Sequence, residues 1–584
     1  MNNFVNKFIT EYKKIHLKLI NDNIISDKFD YKNISFDVPD EDNHGDISIN
    51  AALVYKKFSN LSVNEIANKI KKELNHIKFI NNVEIAGPGF INVYFSKKYL
   101  FDELSKLNKL KEKYFISKIG KNKKINIEFI SANPTGPLHV AHSRGAVFGD
   151  VLSNILNKVG YNVTREYYIN DYGNQIKLLG DSLYFRYLQE LKLTRNSIDK
   201  SFYPGEYLKD IAKIIILKDK SKWIKEKESI RNLYFQKFAI NHIMKNIKQD
   251  LKNIGIKIDK FTSEKNDIIE KNIINLVFKK LKKNNLLYLG TLEKPKGNQE
   301  NDWESREQLL FKSSAFGDDN DRPFLKSNNE WTYFANDSAY HFDKISRGFF
   351  KLINIWGSDH IGYIKRMKSI VHVLSEGKIE LNIKVCQLVH LKKNNKPIRM
   401  SKRSGNFITL KEVTNEVGCD ALRYFMLSRK NDAQMDFDLT KVVEKSKDNP
   451  IFYVNYAYAR FTSLLNAYKK TFKNVKNENI PNFEIFNSCV SNYEWKIIKK
   501  ILSWPYILES SALSEEPHKI IYYLESLSTL FHSFWNLGKE NIDYRFIDKS
   551  NLNKTLVKVY IIRSLQLIFQ SAFEILGIKP MKKM

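Results

Sequence analysis

The stretch Asn133-Pro134-Thr135-Gly136-Pro137-Leu138-His139-Val140-Ala141-His142 sets two imidazoles three positions apart behind a turn rich in proline and glycine. Proline presets φ and glycine tolerates unusual dihedrals, so such a turn can be tight. With a helix starting near His139, both rings fall on its first turn and face the same way. A helix N-terminus offers unpaired N–H groups and a favourable dipole to phosphate. Imidazoles there can donate to phosphate oxygens as charge develops in a displacement. The stretch is neither a P-loop nor a GxGxxG fingerprint, and no nearby Cys or carboxylate completes a metal-binding set. A second candidate is Arg399-Met400-Ser401-Lys402-Arg403-Ser404-Gly405-Asn406. Lys402 would be a mobile point charge suited to departing pyrophosphate, and small Ser401 leaves the approach open. As a bare charge run it reads equally well as a solvated loop.

Both candidates need elements to carry them. INIEFI, from Ile125, reads as a strand; a helix follows His139, then the strand YNVTREYYI. Strand, loop, helix, strand is a βαβ unit of a parallel sheet, whose carboxyl edge is the natural ligand crevice. Gly145 and Gly149 leave that helix a smooth face for close packing. Alternation returns over Phe350 to Trp356, followed by a helix after Gly362 and the segment IELNIKVCQLVHL. Two such halves imply one nucleotide-binding domain over 120–410, interrupted by an insertion at about 200–300.

Residues 1–110 read as a small α+β domain. Phe4, Phe8, Ile9, Tyr12, Ile15 and Leu19 mark a helix face, Ser62 and Glu65 form a capping box, and Gly87-Pro88-Gly89 joins two strands. A connecting segment is expected over 411–447, and a helical bundle over 448–584.

The 584 residues exceed what one core usually serves, and 43% apolar content is enough for several. Lys and Arg number 95 against 65 Asp and Glu, a net charge of +30 that suits a polyanionic partner. Lysine is used throughout rather than in one block, so charge alone does not decide the matter. Cys386, Cys419 and Cys489 share no CxxC spacing, which argues against structural zinc and disulfides and fits a reducing compartment. No apolar stretch reads as membrane-spanning and no secretory signal opens the chain, so a cytoplasmic enzyme without a membrane partner is expected; an organellar origin with its leader removed reads the same.

Taken together, the two loops resemble the paired signatures of class I aminoacyl-tRNA synthetases: HVAH for His-x-Gly-His, and MSKR within Lys-Met-Ser-Lys-Ser. The flanking EFISANPTGPLHVAHSRGAVFGD, WTYFANDSAYHFDK, WGSDHIGYIKRMK, VGCDALRYFMLSR and FYVNYAYARF are similar to the arginyl-tRNA synthetases, as is EDNHGDISINAAL near the N-terminus. The resemblance implies an α/β fold: a Rossmann-like parallel-sheet catalytic domain with an N-terminal α+β domain that contacts tRNA and a C-terminal anticodon-binding α-helical bundle. It implies L-arginine, ATP with Mg2+, and tRNA(Arg) as partners of a monomer.

The same resemblance assigns roles to residues. His139, His142 and Lys402 become catalytic. Pro137, Ala141, Gly357, Asp359, His360, Met400 and Ser401 join them around ATP, the 357–360 segment being open between adenosine and the amino acid. Glu128, Asn133, Tyr333 and Asp337 hold arginine, a planar cation that wants a carboxylate. Tyr453, Tyr456, Tyr458 and Arg460 are candidates to meet tRNA bases, the alternative being an ordinary aromatic core. Ala141 departs from the family glycine, which implies a modest cost in ATP affinity, and Arg399 replaces the first lysine of its motif while keeping the charge. Cysteinyl members use a cysteine-rich zinc site that this chain cannot build. A nucleic-acid-binding protein on a disabled synthetase fold is the remaining alternative, against which intact His139, His142 and Lys402 count.

Overall fold

The computed structural model describes residues 4–26, 33–39, 42–292, 306–398, 408–473 and 481–584. The chain divides into two compact units, Gly120–Glu444 and a second formed by Met1–Ile119 with Lys445–Met584.

The central unit is built on five parallel strands: β1 (Lys124–Glu128), β2 (Asn162–Ile169), β3 (Lys260–Ser263), β4 (Lys351–Gly357) and β5 (Glu380–Cys386). Their order across the sheet is β5-β4-β1-β2-β3. The chain therefore starts in the middle, runs to one edge, and returns to the other side of β1. The switch point lies between β1 and β4, where doubly wound sheets bind ligands. Ile125, Ile127, Leu352 and Ile353 are buried, the near-continuous apolar run of strands covered on both faces.

Helix α1 (Val140–Lys158) follows β1 and lies close on the sheet. A Cβ on Gly149 would stand 2.3 Å from Phe129 Cγ, whereas one on Gly145 would meet Ile355 at an ordinary 3.7 Å. The close approach thus rests on Gly149.

Two expectations about this unit need correction. The insertion is double: helices Asn174–Glu190, Tyr207–Asp219 and Glu228–Asn253 fill the β2–β3 crossover. A small antiparallel sheet of Leu287–Gly290, Gln308–Phe311 and Arg322–Leu325 then precedes β4. Between the two insertions β3 rejoins the main sheet, four residues too few to show alternation. Nor is 411–447 a connector, since up to Glu444 it belongs to this unit. Its strand Met435–Asp438 pairs in parallel with Val389–Lys393, and the buried Arg423 donates to Asp150 at 2.6 Å and to the Ile254 carbonyl at 2.9 Å.

In the other unit, a four-stranded antiparallel sheet runs in the order Phe36–Asp37, Ile47–Ile49, Phe90–Phe95, Ile80–Ala86. Helix Phe4–Asn21 buries Val5, Phe8, Tyr12, Ile15 and Leu19, and the reciprocal Ser62–Glu65 cap opens helix Val63–Leu74. The bundle comprises Pro450–Thr471, Asn492–Ser514, His518–Glu540 and Leu552–Leu576, with a short Phe483–Cys489 turn of helix.

Polar bonds join the bundle to the N-terminal residues as one body. Glu509 accepts from Asn6 at 2.7 Å and from Ser117 at 2.5 Å, Lys499 pairs with Asp46 at 2.7 Å, and Asn108 donates to Ser564 at 2.6 Å. The N-terminal residues and the bundle thus pack within one compact unit. Leu552–Leu576 is, against the reading above, long and apolar enough to cross a bilayer by composition; 72% of its most apolar window is buried inside the protein.

Candidate active site

A cavity of about 1160 Å³ opens at the carboxyl ends of β1 and β4. It is lined by Glu128, Asn133, Pro137, His139, Ala141 and His142 from the first loop, and by Gly357, Asp359 and His360 from the loop after β4. Tyr333 and Asp337, one turn apart on helix α2 (Tyr333–Ser346), complete it. Every expected ATP or arginine residue among the described residues therefore faces one space. Met400, Ser401 and Lys402 lie outside the described residues.

The first loop leaves β1 through a strained turn. Ile130 and Ser131 have φ of +73° and +37°, a left-handed conformation that is costly for a β-branched residue. The Ser131 hydroxyl donates to Glu128 Oε1 and accepts from the Tyr168 N–H, both at 3.0 Å, which clamps the turn to β1 and β2. Farther along, His139 is the N-cap of α1 and its backbone N–H donates to His142 Nδ1 at 3.2 Å. That bond makes Nδ1 the acceptor and places the neutral ring's proton on Nε2. The two rings lie 3.8 Å apart at the helix N-terminus, where a phosphate is welcome.

Around Asp337, carboxylates crowd together. Burial, then the charges of Glu264 and Glu128, push the Asp337 pKa up to about 8, with Arg366 and Lys344 opposing. Burial likewise lifts Glu264 to about 7, although its bond from Asn336 at 3.0 Å works the other way. A cavity wall that holds Asp337 against its ionisation is short of a cation. A guanidinium supplies one, and Tyr333, 66% exposed at the rim, can cover its face. Asn133, also at the rim, donates to Gln175 at 3.1 Å. Asp359 and His360 form a loose, solvent-exposed pair at 3.4 Å.

Sequence reasoning missed Glu264, which follows β3 directly; the rule that strand ends carry function would have found it had β3 been visible. It placed an insertion here but not its contribution to the cavity wall. Lys200 to Tyr207 walls the cavity, and the Tyr207 hydroxyl donates to the Thr135 carbonyl in the first loop.

In the other unit, Tyr453, Tyr456 and Arg460 share a face of helix Pro450–Thr471. Arg460 stacks over Tyr456 at 4.0 Å, donates to its hydroxyl at 2.9 Å and meets His532 Nδ1 at 2.9 Å. The Tyr453 ring packs on His532 with centroids 4.3 Å apart. Tyr458 is a correction: it is 1% exposed, lies edge-on to Phe461 and Phe573, and accepts from Gln570 at 3.0 Å. It is core and cannot reach a base.

Comparison with known proteins places the chain in a family. Family profiles match in three places: "Arginyl tRNA synthetase N terminal domain" over residues 13–95, "tRNA synthetases class I (R), catalytic domain" over 103–291, and "DALR anticodon binding domain" over 454–584. An arginine–tRNA ligase of Ehrlichia ruminantium (strain Welgevonden) is 41% identical over 572 residues, 98% of each chain. One of Anaplasma marginale (strain St. Maries) is 42% identical over 94% of this chain and 93% of its own. The solved Thermus thermophilus arginyl-tRNA synthetase has the same fold, with a TM-score of 0.70 at 16% identity over 94% of this chain and 96% of that one. At such identity across nearly its whole length, the chain belongs to the arginyl-tRNA synthetase family of class I aminoacyl-tRNA ligases.

Proposed function

We propose that this arginine–tRNA ligase works by in-line adenylation followed by transfer to a ribose hydroxyl. An oxygen of the arginine carboxylate attacks the ATP α-phosphorus, the bond to pyrophosphate breaks, and arginyl-adenylate forms. The 2'-hydroxyl of the tRNA's terminal adenosine then attacks the adenylate carbonyl and expels AMP. No covalent enzyme intermediate is needed; alignment and charge stabilisation suffice.

The residues divide by location. Asp337 and Glu264 receive the guanidinium, with Tyr333 over its face, and Glu128 and Asn133 hold the other end. His139 and His142 donate to the phosphates at the α1 N-terminus, beside Pro137 and Ala141. Gly357, Asp359 and His360 wall the nucleotide. Mg2+ arrives with ATP and neutralises part of the triphosphate charge. From the resemblance alone, Lys402 receives the departing pyrophosphate, flanked by Met400 and Ser401. In the bundle, Tyr456 and Arg460, with Tyr453 behind them, offer a stacking platform to tRNA bases.

What supports this reading is that Glu128 and Asp337 share one cavity with a paired-histidine helix N-terminus. ATP–pyrophosphate exchange tests it, measured for each amino acid with and without tRNA. Exchange with arginine alone, and only in the presence of tRNA as the family resemblance implies, is expected; exchange driven by another amino acid would refute it.

A further inference from the structure

A chain of buried side chains runs along the cavity wall from α2 through β4 to β1. His341 Nδ1 donates to the Asp337 carbonyl at 2.8 Å, and Asn354 Nδ2 donates to His341 Nε2 at 2.9 Å. Lys344 Nζ donates to Asn354 Oδ1 at 3.1 Å and to Glu128 Oε2 at 2.5 Å. A carbonyl can only accept and an ammonium can only donate, so both ends fix the direction of every bond between them. The His341 ring is thus neutral with its proton on Nδ1, and burial followed by the Lys344 charge pushes its pKa down to about 3.

The Lys344 and Asn354 side chains are fully buried. Filling this space did not require a charge, because an apolar side chain of similar volume avoids the desolvation cost of a buried ion. The lysine instead occupies one oxygen of a carboxylate that faces the cavity. The other, Oε1, accepts from Ser131 at 3.0 Å and has room for a second donor.

Without Lys344, Glu128 would be one of three acids crowded together. Losing the bond to Oε2 would also free the carboxylate to rotate, so that Oε1 no longer points one way. Glu128 also ends the strand that leads to His139. The substrate carboxylate must reach the phosphate there, and its α-ammonium is one carbon away. We propose that Lys344, braced by Asn354 and His341, is a positioning residue that holds Glu128 Oε2 and so turns Oε1 toward the α-ammonium of the amino-acid substrate. The inference rests on the arginine site described under Proposed function.

The test compares two ligands by calorimetric titration of the full-length protein with tRNA present: L-arginine, and 5-guanidinopentanoate, which is arginine without its α-amino group. A charge-assisted hydrogen bond gives wild type a preference for arginine of about tenfold or more. In Lys344→Met that gap should close to about twofold, because the lost contact is the one the analogue never made. Equal weakening of both ligands, with the gap preserved, overturns the proposal and leaves Lys344 a packing role. If thermal melting shows that Lys344→Met does not fold, Asn354→Ala decides. It keeps the ion pair but removes the brace, so the gap should narrow, and an unchanged gap overturns the proposal. Wild type binding neither ligand would refute the arginine site itself, and this inference with it.

Discussion

Both compact units bury carboxylates, and they use them differently. In the unit formed by the two ends of the chain, Glu509 accepts from Asn6 and Ser117, and Asp46 meets Lys499 and the Phe95 N–H. These acids are matched by donors from distant parts of the sequence and act as fasteners. In the central unit, Asp337 and Glu264 lack enough positive charge and sit at about 8 and about 7. On the reading proposed above, they form an unfinished electrostatic site that arginine completes. Satisfied buried charge holds parts together, whereas unsatisfied buried charge selects what may enter.

The contrast breaks most sharply at Asp337. Asp337→Asn should cost about 3 kcal/mol of arginine recognition, a hundredfold or larger rise in the arginine KM, because a desolvated guanidinium loses its counter-charge. The ATP KM and the melting temperature should stay near wild type, since the change relieves carboxylate crowding. Steady-state exchange kinetics with tRNA and a thermal melt measure both. An unchanged arginine KM would remove Asp337 from the pocket.

Glu509→Ala should do the reverse. Two donors lose their acceptor, so about 2–3 kcal/mol of stability goes, read as a lower denaturant midpoint, while arginine activation per folded molecule is retained. A cut near Lys447 removes the same acceptor and Lys499 as well, and should destabilise the N-terminal residues along with deleting the bundle. Loss of activation in folded Glu509→Ala would erase the distinction between the units.

The pH dependence follows from the shifted acids. In unliganded protein, Asp337 holds a proton that the unfolded chain releases near pH 4. Its contribution to stability is complete below about pH 4 and is lost as the pH rises through about 8. Arginine favours the ionised acids, so binding should release protons near neutrality and tighten by up to about tenfold per pH unit for each proton released. Calorimetry in buffers of different ionisation enthalpy reads that release directly, and binding without proton release would show the acids already charged.

The smallest effects sharpen the comparison within the bundle. Tyr456→Ala should weaken tRNA binding by about 1–3 kcal/mol if a base stacks there. Tyr458→Phe should leave tRNA affinity alone and cost about 1 kcal/mol of stability through the lost Gln570 bond. Filter binding and melting curves separate the two, and equal tRNA affinity of wild type and Tyr456→Ala would leave that platform without a base.

Helical spacing already divides these tyrosines. Residues 453, 456 and 460 recur at three and four, one face of a helix, while 458 falls on the opposite side; grouping them by nearness along the chain hid the difference. The same periodic signals made β1, β2, β4 and the four long bundle helices legible, and chemistry at strand ends made the two loops so. What stayed hidden had no local pattern. Strand β3 is four residues defined by its pairing with β2, Glu264 is visible only through β3, and Arg423 looks like surface until Asp150 is folded against it. The chain from Asp337 to Glu128 joins residues that no spacing rule connects.

The fastening of the first hundred residues to the last also sets an order of events during synthesis. Asn6 and Ser117 wait for Glu509, so the N-terminal segment emerges from the ribosome long before its acceptor exists. At about 5–20 residues per second, the interval is roughly 20–80 s. Throughout it the small sheet and its helices stand without their final support while the entire central unit is made and can fold. The first part of the chain to be born is thus among the last to be completed, and its exposed apolar face is where a chaperone has the longest opportunity to act.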